Sequence, residues 1–286
     1  MRYYENEMPN PDITECFASV GDQELMADIF IPAKSKNKGA AVIFVHGGGW
    51  NGGSRQAFLW HASRLALHGY VTCTIDYRLT RTASFPAAVE DCQSAVKWLR
   101  NNASRFGIRS DRIGAVGSSA GGHLAACLGV LDDDGSTASA KVNCVVDIHG
   151  VHDFMSIEQD CRGKRENWKL FPGGSISEER DFWIEASPAL HVDESSAPML
   201  IVHDPQDKTV PYSQSLILAN ALIKNNRPMQ FLPTRGSGHG FVYNPHNMWT
   251  QHVWPIAVAW LDHHLLGTTL TGLSEEEMVE FRPEDA

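Results

Sequence analysis

The chain has 286 residues, with 43% apolar and 20% charged positions, which suits a single globular α/β domain (1–286) with a sizeable buried core. Its net charge of −10 argues against a nucleic-acid partner or docking on anionic lipid, both of which need a basic face. Six cysteines (Cys16, Cys73, Cys92, Cys127, Cys144, Cys161) stand in no CxxC or metal spacing, so buried free thiols are expected, with one disulfide left open.

The start, MRYYENEMPNPD, is polar and lacks an apolar h-region. As written, the sequence predicts a cytoplasmic protein, or a secreted or periplasmic one if a leader precedes it. No run approaches the ~18 apolar residues of a membrane span. Residues 23–31 (QELMADIFI) read as an early strand, and AAVIFV (40–45) as a buried parallel strand ending at HGGGW. Helical spacing follows over 55–68, then a strand, YVTCTIDY (70–77). Residues 86–106 give the clearest amphipathic helix, opened by Pro86, with Ala88, Cys92, Ala95, Val96 and Leu99 on one face. A strand at 112–117 runs straight into a small-residue helix, SSAGGHLAACLGV. Further strands are read at 142–150, 197–204 and 229–233, and helices at 213–225 and 249–265.

This alternation predicts a mostly parallel sheet with helices on both faces. Residues 152–197 break the rhythm. They are charged, carry Trp168, Phe171, Phe182 and Trp183, and read as an insertion over the carboxyl edge of the sheet, a partial lid. The tail 267–286 is acidic and reads as a fraying surface helix.

Gly117-Ser118-Ser119-Ala120-Gly121 fits G-x-S-x-G, the nucleophile elbow. Alone, the pentapeptide is a pattern that any Gly/Ser-rich turn supplies. Here it sits between an apolar strand and a helix, which is the context the motif requires. Ser119 has glycine at both −2 and +2, whereas its neighbour Ser118 does not. His46-Gly47-Gly48-Gly49-Trp50 follows a strand, so its glycines let backbone N–H groups point at a developing oxyanion. The expected donors are Gly48, Gly49 and Ala120. His46 is expected to brace the loop, and Trp50 either to wall a substrate pocket or to pack the loop. Ser118 and Val210 are further pocket candidates.

A serine nucleophile needs a histidine base and an orienting carboxylate, in chain order Ser, Asp, His for this elbow. Asp207 in HDPQDKTVP follows the strand PMLIVH, with Asp204 as the alternative acid. The base is His239 in GSGHGF, after the last strand and before the last helix; His149, His152, His203 and His246 fit that order less well. No H-x-x-x-H or clustered carboxylates suggest a metal, and no cofactor is expected.

Together HGGGW, YRL (77–79), FPAAVED, GSSAGGHLA, HDPQDKTVP and GHGF resemble the esterase/lipase group of α/β-hydrolases, above all the bifunctional feruloyl and acetyl-xylan esterase-like members. The resemblance spans roughly residues 25–265. It implies cofactor-free hydrolysis of short acyl esters on small molecules or carbohydrate, with Ser119, Asp207 and His239 as triad and Gly48, Gly49 and Ala120 at the oxyanion positions. The acid loop departs from the group, reading HDPQD where HG-x-x-D is usual. Arylformamidase-like and oligopeptidase-like hydrolases share the elbow and much of the oxyanion motif, so an amide substrate stays open. A non-catalytic binding protein on the same fold is the reading from another class.

Overall fold

The computed structural model describes residues 8–132, 138–161, 171, 173 and 178–268. Eight strands form one sheet in the order β1-β2-β4-β3-β5-β6-β7-β8. Their ranges are β1 Ile13–Val20, β2 Gln23–Phe30, β3 Ala41–Val45, β4 Val71–Ile75, β5 Ile113–Ser118, β6 Cys144–Ile148, β7 Met199–His203 and β8 Met229–Pro233. β1 and β2 form an antiparallel hairpin, and β2 pairs antiparallel with β4; all other pairings are parallel.

The helices are α1 Leu59–Leu67, α2 Ala87–Asn101, α3 Ala103–Phe106, α4 Ala120–Val130, α5 Phe154–Cys161, α6 Arg180–Glu185, α7 Ser213–Lys224 and α8 Met248–Leu266. The handedness of parallel crossovers decides which face each one covers. From β3 to β4 the chain steps one way along the sheet; from β4 onward it steps the other way, first across β3 to β5 and then outward to β8. A right-handed crossover in opposite directions places its helix on opposite faces. Accordingly α1 covers one face, and α2, α4 and α7 cover the other. The alternation of strand side chains shows the split: Ile43 and Val45 pack with Val96, Leu124 and Leu218, whereas Val42 and Phe44 pack with Leu65. α8 returns to the α1 side, where Val253, Ala257 and Leu261 complete the core.

Two expectations need correction in detail. The helix expected over 86–106 breaks at Asn102, whose side-chain amide donates to the Trp98 carbonyl at 2.8 Å while its backbone leaves the helical region. The hairpin strand β1 has no counterpart in the sequence reading. It is an edge strand with Phe17 its one buried residue, so it lacks the apolar run that marks a central strand. The expected tail helix lies outside the described residues beyond 268. No helix among the described residues is long and apolar enough to cross a membrane. The five cysteines whose side chains are described (Cys16, Cys73, Cys92, Cys127, Cys144) are free thiols.

Parallel strands deliver their following loops to one edge. That edge collects the loops after β3 (HGGGW), β5 (the elbow), β6, β7 (Asp204–Pro211) and β8 (Thr234–Gly240).

Burial of imidazoles links the fold to pH. His61 and His123 are almost fully buried, and desolvation lowers each to about 3. In the unfolded chain both titrate near 6.5. The unfolded state therefore binds more protons below pH 6.5, so stability is intact above that value and falls as pH drops from 6.5 toward 3. At pH 5 each group withdraws about 2 kcal/mol. Urea unfolding at pH 5 and 7.5 should show this loss, and His61→Phe should shrink the difference by about 2 kcal/mol; an unchanged difference would refute the assignment.

Candidate active site

The elbow is built by close approach of backbone. Ser119 sits between β5 and α4 with φ 58° and ψ −123°, a conformation that L-residues rarely adopt. A Cβ on Gly117 would run into the Gly121 carbonyl, and one on Gly121 into the Val45 carbonyl, so both glycines are sterically required. Ser119 N–H donates to Ile148 O at 2.9 Å, which ties the turn to the neighbouring strand. The serine thus stands at the N-terminus of α4, where free N–H groups and the helix dipole favour negative charge.

His239 and Asp207 meet it there. Asp207 Oδ2 accepts from His239 Nδ1 at 2.7 Å, and His239 Nε2 accepts from Ser119 Oγ at 2.9 Å. A carboxylate can only accept, so Nδ1 carries the proton and Nε2 is left basic toward the serine. The Asp207 side chain is wholly buried, while His239 keeps 20% exposure. Burial by itself would raise the Asp207 carboxyl, but hydrogen bonds from His203 and His239 and from Thr209 N–H outweigh it and hold it well below the usual carboxylate range. Its other oxygen accepts from Thr209 N at 2.6 Å and Val210 N at 3.1 Å.

The HGGGW loop after β3 is braced from beneath. His46 is buried, stacks on Tyr77 with ring centroids 4.3 Å apart, and its Nδ1 lies 2.8 Å from Gly47 O. Burial lowers its imidazole, against an upward pull from that carbonyl and from Asp76. Tyr243 Oη accepts from Gly47 N at 2.8 Å and donates to Ser118 O at 3.4 Å, so one hydroxyl joins this loop to the elbow. Gly48 and Gly49 have φ of 128° and 61°. No hydrogen bond to their N–H groups occurs among the described residues, and the Ala120 N–H, first in α4, has no intrahelical partner.

The remaining sequence candidates fall elsewhere. Ser118 is fully buried and its Oγ lies 2.9 Å from His149 Nε2. Val210 is buried beside Asp207 and acts through its backbone N–H. Trp50, 3% exposed, donates from Nε1 to His123 Nδ1 at 3.1 Å and stacks on Phe171 with centroids 4.7 Å apart. Asp204 is not bonded to His239; it accepts from Gly238 N at 2.9 Å and so pins the loop that carries the histidine. His152 pairs with buried Asp147 at 2.9 Å, His203 accepts from Ser215 Oγ at 2.7 Å, and His246 is exposed. Among the described residues, the set of metal-ligand side chains within mutual reach is His149, Asp207 and His239, two of which already serve the serine.

Sequence reasoning missed Tyr243, Gln214 and the contact of His149 with His239. The signal for His149 was a polar residue closing an apolar strand (VVDIHG). Gln214 offered none, because its amide acts through space: Oε1 accepts from His152 N and Asp153 N, both at 2.8 Å, and Nε2 donates to Asp153 O and Ser156 Oγ at 3.2 and 3.0 Å.

A mostly parallel sheet flanked on both faces, with a strained serine turn, a glycine-rich loop after β3 and a hydrogen-bonded Ser–His–Asp set at its carboxyl edge, defines the α/β-hydrolase fold. The chain belongs to the BD-FAE family, whose model matches residues 27–222. It is 32% identical over 235 residues to esterase LipC of Mycobacterium tuberculosis, covering 77% of this chain and 58% of LipC. It is 33% identical to arylacetamide deacetylase of Bos taurus over 55% of this chain and 40% of that protein. The chain thus spans about half the length of these curated relatives. Among solved structures, a thermophilic esterase of Thermogutta terrifontis with propionate bound superposes with a TM-score of 0.77 at 28% identity, covering 91% of this chain and 96% of that one. Its butyrate-bound form gives 0.76, at 28% identity over 90% of this chain and 95% of that one.

Tyr243→Phe keeps the ring and deletes the hydroxyl that accepts from Gly47. The N–H left without a partner should lower stability by about 1–2 kcal/mol in urea denaturation. An unchanged midpoint would show that the bond contributes nothing.

Proposed function

We propose that this chain is a serine carboxylic-ester hydrolase acting on short-chain acyl esters through an acyl-enzyme on Ser119. The observation that carries this reading is the unbroken relay from Ser119 Oγ through His239 to Asp207, at 2.9 and 2.7 Å. His239 Nε2 takes the serine proton as Oγ attacks the ester carbonyl. Asp207 keeps the imidazole in the right tautomer and stabilises the imidazolium that forms. The N–H groups of Gly48, Gly49 and Ala120 receive the oxyanion, each such donor being commonly worth about 3–4 kcal/mol of barrier. His239 then protonates the leaving alcohol, and water, deprotonated by the same nitrogen, releases the acid.

Esterase names among the relatives support the reaction type, and the propionate and butyrate complexes of the Thermogutta terrifontis esterase support a short acyl group. Trp50, Phe154 and Phe171 pack on one another and around His123, one helical turn beyond Ser119 in α4, and on this reading they bound the acyl site. On this reading the 152–197 insertion is a partial lid. The finer substrate is an acetyl ester on carbohydrate, in keeping with the resemblance of the motifs. An amide-directed activity is the second reading, favoured by the likeness to arylacetamide deacetylase.

p-Nitrophenyl esters from acetate to decanoate, with methyl ferulate, acetylated xylan and an aryl acetamide, separate these readings. Turnover should be greatest at two to four acyl carbons, and Ser119→Ala should lower it by at least about 10³-fold. A fluorophosphonate adduct on a different serine would sink the assignment.

A further inference from the structure

His149 lies outside the relay yet touches its central member. It follows directly on β6, fully buried, with a left-handed φ of 44°. Its N–H donates to Val202 O at 2.8 Å, and the preceding carbonyl, Ile148 O, is the acceptor of Ser119 N–H. The residue is thus pinned to β7 on one side and to the elbow on the other. Its ring centroid is 4.2 Å from that of His239, the planes tilted by 40°, and Ser118 Oγ at 2.9 Å from Nε2 fixes its rotation. Phe241 closes the other side at 5.8 Å.

This arrangement is expensive for mere filling of space. An imidazole buried with Nδ1 unpartnered among the described residues is less stable than an apolar side chain of similar size. What the imidazole adds is a flat face anchored by a polar bond. Resting on the triad reading above, we propose that His149 is a positioning residue: its ring, locked by Ser118, is the back wall that keeps the His239 imidazole in line between Ser119 and Asp207. Its neutrality suits that place. Burial, reinforced by His239 and His203, pushes its imidazole well below the ordinary 6.5, so no second cation faces His239 when that ring takes the serine proton.

The test uses the full chain, p-nitrophenyl acetate, and the variants His149→Ala, His149→Phe, Ser118→Ala and Ser119→Ala. A slightly misplaced base should lower kcat about 30-fold in His149→Ala while KM changes by less than about twofold. The far-downfield proton resonance of His239 Nδ1–H should broaden or vanish in the same variant. His149→Phe restores a flat face and should recover kcat to within about threefold, whereas Ser118→Ala, which frees the ring, should lower kcat about fivefold at constant KM. Parental kcat in His149→Ala, or a kcat that falls in step with thermal stability in both His149 variants, overturns the proposal. Should His149→Ala fail to fold, the other two variants decide: unchanged kcat in Ser118→Ala overturns it, and reduced kcat there beside near-parental His149→Phe supports it. Parental turnover in Ser119→Ala would instead remove the nucleophile assignment, and the positioning role with it.

Discussion

Ser119 can hold its left-handed backbone because β5 and α4 meet with no side chain between them. The carbonyls of Gly121 and Val45 occupy the space that a Cβ on Gly117 or Gly121 would fill. The contacts of Ser119 are arranged around that close approach. The Ile148 carbonyl takes the serine N–H, and Tyr243 bridges the elbow to the oxyanion loop. A strained turn persists only where its surroundings over-determine it, and here three strands and one tyrosine do so.

The carboxyl edge is also unusually rich in buried imidazole. His46, His149, His152 and His203 all lie inside it, each with a defined partner: Gly47, Ser118, Asp147 and Ser215. Where the partner can only accept, the facing ring nitrogen carries the proton: His46 Nδ1 toward the Gly47 carbonyl, His152 Nε2 toward Asp147, and His203 Nε2 toward the Val210 carbonyl. Asp207 shows the effect on the acid. Two backbone N–H groups hold one oxygen while His239, with His203 close by, faces the other, so the carboxylate stays charged despite its burial.

The central strands were legible in the sequence because each is buried on both faces and reads as an apolar run closed by turn residues. The hydrogen-bonded set of Ser119, His239 and Asp207 joins residues that chain order singles out, with glycine flanks marking Ser119 and His239. Edge strand β1 was not legible, since a solvent-facing strand has few residues to bury. The sequence reads with Asp207 as the acid and Asp204 as the alternative, but the loop that Asp204 pins was not legible. Both follow β7 within a few residues, and what separates them is that Asp204 meets Gly238 across 34 residues of chain. His149 and Gln214 escaped for the same reason: their work is done by contacts between elements far apart in sequence, which local pattern does not encode.

The Gln214 amide has a further consequence. With its four bonds it holds the start of the segment that follows β6 against α7, and Ser187, near the end of that segment, accepts from Phe154 N at 2.9 Å and donates to Trp183 O at 2.7 Å. Departure and return points of the excursion are therefore fastened to each other and to the scaffold within a few residues. A segment mounted in this way has ends whose positions are set by the scaffold and not by what lies between them.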